Sequence, residues 1–208
     1  MRSHRVDRIT DYASPTAGHW ARVQPTRVAL MPTPVGMQPT AYVRAAWAER
    51  RFGETPAVEV ASVHDGTTWA MHVKWTSQPS QDPAGFPDAL AVALPVTHDA
   101  VLAIMGSQEA PIHFLRWDSR HTGARSVVAR GLGTSAPGPD VQQAAQAHAT
   151  GPVWQVVLTR TLGTGGAIAP LQAGARTGVG FAVWRGANDE RAGIKAFSID
   201  WTEMTLDA

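Results

Sequence analysis

The chain contains no cysteine. That excludes disulfides, thiolate-held iron–sulfur clusters, c-type haem attachment and cysteine catalysis, and it leaves the compartment open. Lysine is nearly absent too. Of the 18 basic residues, only Lys74 and Lys195 are lysines, and the rest are arginines, which suit fixed ion pairs and interfaces. Charge of either sign is scarce: 17% of residues are charged and the net charge is +1, against the strongly basic face a nucleic-acid module needs. No apolar run reaches the length that spans a bilayer. The N-terminal MRSHRVDRITDYASPTAGHW has basic residues but no apolar segment of the secretory type, so no leader is visible in it. The eight histidines show no H-x-x-x-H or H-E-x-x-H grouping, which argues against zinc chemistry. The glycine-rich stretches at 131–138 and 163–166 lack the GK[ST] ending of a phosphate loop. No G-x-S-x-G elbow is present. Asp82, Asp88 and Asp99 fall in loops without EF-hand spacing.

What remains is a chain of 208 residues patterned as short strands. Residues 1–19 are polar and read as an N-terminal arm; 20–208 read as a single domain. Four prolines between Trp20 and Pro39 favour extended chain over a long helix. The pattern becomes strand-like from Tyr42. Val58 and Val60 alternate with Ala57, Glu59 and Ala61; an Asp65-Gly66 turn follows. Then Trp69, Met71, Val73 and Trp75 alternate with Ala70, His72 and Lys74. This is a hairpin signal, and it sends His72 and Lys74 to a solvent face. Ala89, Ala91 and Ala93 alternate with Leu90, Val92 and Leu94, and Ile112–Trp117 and Ser126–Arg130 are further strand-like runs. The stretch 141–150 reads as a short helix by its Ala and Gln content, or as a strand with Gln146 and His148 on one face. Trp154–Arg160, Val179–Trp184 and Ile194–Trp201 complete the set. Many short strands with turn signals about every ten residues predict a mainly antiparallel β-sandwich with short helices in its connections. The eight tryptophans are expected to anchor a core between sheets.

One residue stands out chemically. Met105 ends an apolar segment and is followed at once by Gly106. On residue type alone, such a methionine is core filler or a soft ligand for iron on a pocket lip. The residues thus leave two readings: an electron-transfer or binding module, and a tryptophan-rich carbohydrate-binding or structural sandwich without haem.

Five pieces, in order, resemble one family: HDGTTWAMHVKW (64–75), FPDALAVALP (86–95), MGSQEAPIHFLRW (105–117), WQVVLTRTL (154–162) and FAVWRGANDERAGIKAFSIDW (181–201). Together they resemble the haem b-binding gamma subunit of type II dimethyl-sulfoxide-reductase-family molybdenum enzymes, the group of ethylbenzene and dimethylsulfide dehydrogenases and chlorate and selenate reductases. The resemblance implies a β-sandwich holding one b-type haem between two axial side chains, with Met105 matching the methionine. The family's second ligand is typically a lysine just before the W-x-V-V strand, and VQQAAQAHATGPVW has none. Gln146 falls at the matching count, His148 is two residues on and has the better donor, and Lys195 is a third candidate; His148 is the choice made on donor strength. The implied role is electron transfer without catalysis. The implied partners are an iron–sulfur beta subunit, a molybdenum catalytic alpha subunit, and a c-type cytochrome or quinone-linked acceptor. The implied location is the periplasm, with the cytoplasm as the alternative.

Overall fold

The computed structural model describes residues 1–165 and 168–208. In chain order its strands are β1 (Arg2–Arg5), β2 (Thr26–Ala29), β3 (Met31–Pro32), β4 (Ala57–His64), β5 (Thr68–Thr76), β6 (Ala89–Pro95), β7 (Ile112–Asp118), β8 (Arg125–Ala129), β9 (Ala136–Pro137), β10 (Ala144–Thr150), β11 (Val153–Thr161), β12 (Gly163–Gly165), β13 (Ile168–Leu171), β14 (Arg176–Trp184), β15 (Ala196–Phe197) and β16 (Thr202–Leu206). One α-helix, α1 (Ala41–Trp47), and five short 3-10 turns lie in the connections. Two layers result. The first runs β10-β11-β5-β4-β1-β16-β14, with β2 also on β4; the second runs β14-β6-β7-β8-β9, with β15 on β14 and β3 on β15. β14 serves both, pairing with β16 through Arg176–Val179 and with β6 through Gly180–Trp184. The pairing is antiparallel except at β1, which lies parallel to both β4 and β16.

The main core lies between the layers and follows the period-2 pattern of half-buried strands. Trp69, Met71, Val73 and Trp75 of β5 face Leu90, Val92 and Leu94 of β6, with Leu115 and Trp117 of β7 and Val156 and Leu158 of β11. Trp75, Trp117 and Trp154 meet with ring centroids 5.1–6.4 Å apart. Stacked and edge-to-face geometries of this kind add to the area they bury. The core also holds a charge. Arg160, fully buried on β11, donates to the carbonyls of Ala169 (2.8 Å) and Thr161 (3.0 Å) and lies 3.3 Å from His113 Nδ1. Burial lowers its pKa to about 10 and, with the Arg160 charge, that of His113 to about 4.

Four local expectations change. The polar N-terminal arm is part of the fold: Ser3 is in register with both Ser62 and Leu206, and Tyr12 and Trp20 cover the outer face of β4 and β5. His72 is therefore not solvated. Its ring lies 4.9 Å from that of Trp20, and burial lowers its pKa to about 4. The strand expected from Tyr42 is helix α1, started by Thr40, whose hydroxyl accepts the Val43 N–H at 3.3 Å, and held by Trp47 packing on Phe52 and Ile194. Ile194–Trp201 is not one strand. Only Ala196 and Phe197 pair as strand; at Ser198 the N–H still donates to the Phe181 carbonyl (2.9 Å), but it is the Ser198 hydroxyl that accepts the Phe181 N–H, at 2.8 Å. The stretch 141–150, open between helix and strand, contains β10, paired along its whole length with β11.

Candidate functional site

The alternation in β6 that fills the core on one side leaves space on the other. Leu90, Val92 and Leu94 point inward, while Ala89, Ala91 and Ala93 line the outer face. Above Ala91 and Ala93, and Ala182 of β14, sits a cavity of about 940 Å³. That is near the upper end of the roughly 300–1,000 Å³ typical of clefts for small molecules and cofactors. Phe114 and Arg116 of β7 and Trp184 of β14 share the floor. The walls come from residues 33–43, 102–105, 132–143 and 191–198.

Met105 is on one wall. A 3-10 turn, Leu102–Ile104, delivers it, and Leu102 packs on Gly180, where a Cβ would lie 2.4 Å from its Cδ2. Met105 itself is left-handed, at φ 61° and ψ 35°. An unbranched side chain in that region costs about 1–2 kcal/mol, so the surrounding contacts must hold it. They do: its N–H donates to Leu102 (3.0 Å), its carbonyl accepts from Gly131 (3.0 Å), and the Gly106 N–H reaches Val101 (3.0 Å). Gly106 is also left-handed (φ 78°), and a Cβ there would lie 2.5 Å from the Ala110 carbonyl oxygen. Strain held in this way at a cavity wall points to function.

Lys195 comes from the other end of the floor. Its backbone carbonyl is fixed by the N–H (3.0 Å) and hydroxyl (3.3 Å) of Thr33. Its Nζ lies 5.6 Å from the ring of Trp184, four residues of strand, or about 13 Å, from the Gly180 position against which Leu102 packs. The turn before it is held by the buried Glu190 carboxylate, which accepts from the N–H groups of Gly53 (2.9 Å) and Arg185 (2.9 Å) and from Asn188 (3.1 Å). Lys195 faces the cavity and is otherwise enclosed by protein. That burial lowers its pKa from 10.5 to about 8. Among the described residues its amine has no hydrogen-bond or ion-pair partner.

Gln146 and His148 lie elsewhere. Both are exposed on β10, the edge strand of the first layer, and neither lines the cavity. His148 Nε2 is 2.9 Å from the hydroxyl of Thr150. They do share a face, but that face is solvent. The cavity thus brings Met105 together with Lys195 and leaves out the two residues counted back from Trp154. Arg116 and Trp184 were not singled out in the sequence, although each lies in a quoted motif. The alanine face of β6 was visible as alternation; its all-small character was the unused signal. Of the aspartates, Asp88 is buried and accepts from the N–H groups of Ser80 (2.7 Å) and Gly186 (2.9 Å), a structural role. No cluster of three or more His, Asp or Glu suited to a metal ion occurs among the described residues. No helix among them is long and apolar enough to cross a membrane.

The fold and cavity define a two-layer β-sandwich with a cofactor-sized cleft on the outer face of one layer. Solved structures with this fold include a family 9 carbohydrate-binding module from Caldicellulosiruptor kristjanssonii in complex with glucose. The match has a TM-score of 0.60 at 10% identity and covers 100% of this chain and 95% of that one. A carbohydrate-binding protein from Bacteroides uniformis, so described without proof of function, matches with a TM-score of 0.55 at 9% identity, covering 100% and 98%. At such identities the likeness is one of fold. No protein-family model matches the chain. In sequence it is 32% identical over 203 residues to the chlorate reductase subunit gamma of Ideonella dechloratans, covering 93% of this chain and 80% of that protein. The chain belongs to the family of that reductase gamma subunit.

Proposed function

We propose that this chain is an electron-transfer subunit, itself non-catalytic, that carries one non-covalent b-type haem in the cavity over β6 and β14. It relays electrons between the iron–sulfur subunit of a molybdenum oxidoreductase complex and an external carrier such as a c-type cytochrome or a quinone-linked partner. One observation carries the reading: a single cleft is lined by both a thioether, Met105, and an amine whose pKa burial lowers to about 8, Lys195. When bound, the haem supplies reversible one-electron chemistry at its iron.

The chain's own residues fit that group. Ala91, Ala93 and Ala182 leave a low floor, so the space between the Met105 wall and Lys195 is open to a large flat ligand. Met105 presents a soft donor that favours the reduced metal and raises its potential. Lys195 can donate a lone pair once its proton leaves, and its lowered pKa makes that loss easy near neutral pH. This assignment replaces His148 and Gln146 as second ligand, since both stand on the solvent face of β10. With no cysteine, the chain can hold neither the clusters nor a thioether-linked haem. The clusters and the substrate chemistry then fall to partner subunits, in keeping with a relative named as one subunit of a reductase. The periplasm is the proposed location of the assembled complex.

A sugar-binding role is the competing reading, favoured by the fold and by Trp184 in the cleft. A neutral sugar, however, has no charge to match the unpaired cations there. The test is the absorption spectrum of the purified chain with a pyridine haemochrome assay, and release of the pigment by acid–acetone. A Soret band and one extractable haem per chain are expected. A colourless native complex whose heat of binding responds to glucose would establish the sugar reading instead.

A further inference from the structure

The cleft carries a charge imbalance that two axial ligands do not explain. Its lining holds four cations, Arg116, Arg125, Arg191 and Lys195, and one carboxylate, Asp140, which is exposed and accepts the Gln142 N–H at 2.8 Å. Arg125 is paired with Asp118, and His121 takes the other oxygen of that carboxylate at 2.6 Å. Arg191 donates to the Asp189 carbonyl at 3.1 Å and lies over the ring of Phe86. Arg116 is different. It is half-buried, and among the described residues its guanidinium makes no hydrogen bond and no ion pair. Its only notable contact is with the face of Trp184, 5.7 Å from the ring centroid.

Register makes the situation sharper. Arg116 of β7 is directly opposite Arg125 of β8. Like charges in cross-strand register destabilise a sheet. The single carboxylate at hand, Asp118, is already engaged by Arg125 and His121, and so the group carries an excess positive charge at the floor of the cleft. A half-buried guanidinium without a partner costs stability unless an anion completes it, and its planar fork matches a carboxylate.

We infer that Arg116 is a binding residue for a carboxylate of the ligand in this cleft, so that the cleft takes an acid-bearing planar macrocycle with one acid group turned toward β7 and β8. The inference rests on the haem reading and deepens it: Met105 and Lys195 would hold the iron, and Arg116 would hold a carboxylate at the edge of the same ligand. Arg125, one strand over and partly neutralised by Asp118, is the secondary contact.

The full chain, freed of pigment, is titrated with haemin and with haemin dimethyl ester, whose acid groups are masked, and followed by Soret absorbance. The native chain is expected to bind the free acid about tenfold to hundredfold more tightly than the ester, the range of a charged hydrogen bond. Arg116→Gln should bring the two affinities close together while leaving the ester's affinity unchanged. Arg116→Lys should restore part of the preference, because it returns the charge without the fork. A native chain that binds acid and ester equally overturns the inference whether or not the variants fold, and so does an Arg116→Gln variant that keeps the native preference. A native chain that takes up neither compound overturns the haem reading itself, a separate result from loss of the preference alone.

Discussion

Replacing Lys195 with methionine should stabilise the apoprotein, and only below a defined pH. In the unfolded chain the amine titrates near its ordinary 10.5; in the folded chain burial brings it down to about 8. Below 8 both states carry the proton, and the folded state bears the full cost of enclosing an ammonium. Between 8 and 10.5 the unfolded chain binds more protons, so stability rises with pH; above 10.5 the cost has gone. At about 1.4 kcal/mol per pH unit, the gap between 10.5 and 8 sets an upper bound of about 3.5 kcal/mol. Solvent entering the open cleft reduces that figure. Methionine keeps the unbranched stem and removes the charge. Urea unfolding of the native chain and Lys195→Met at pH 7 should show the variant more stable by about 1–3 kcal/mol, with the difference closing by pH 10.5. Equal midpoints at both pH values, or a variant less stable at pH 7, would refute the idea of a strained, unpartnered amine.

Three further outcomes follow from the packing. Trp20→Ala should uncover His72, move its pKa from about 4 back toward 6.5 in an NMR titration, and cost about 3–5 kcal/mol. Because the folded-state pKa is the lower one, the His72 contribution is present above 6.5 and lost as pH falls toward 4. The native chain should therefore lose stability across that window, and the variant should lose less. Gly106→Ala, at φ 78° and against the Ala110 carbonyl, should cost at least about 1 kcal/mol and weaken haem uptake by displacing Met105; unchanged uptake would show that the Met105 wall does not hold the ligand. Ala182→Leu should fill the cleft floor, cutting haem affinity more than tenfold while the apoprotein's urea midpoint stays level or rises; unaltered affinity would place the ligand elsewhere.

The sandwich was legible because its strands alternate cleanly: the indoles of β5 and the leucines of β6 point to the core the pattern assigns them. α1 was missed because Tyr42 and Val43 favour strands, and the deciding contact was a cap from Thr40 with Trp47 buried on residues far along the chain. Met105 was legible from its apolar segment and the glycine after it. The second wall was not. Which face of β10 meets a pocket depends on its place at the end of the order β10-β11-β5, and that is a non-local fact. The residues counted back from Trp154 lie on an edge strand, while Lys195 reaches the cleft from a turn held by Glu190, 137 residues from its partner Gly53.

The most direct test of the account compares the ferric and ferrous spectra of the haem-loaded native chain with those of Lys195→Ala, His148→Ala and Met105→Ala. The account predicts a low-spin native spectrum that His148→Ala leaves unchanged. It predicts a high-spin spectrum for Lys195→Ala, and for Met105→Ala loss of the thioether band at the red end together with a lower potential. A His148→Ala variant that turns high-spin while Lys195→Ala stays native would contradict it.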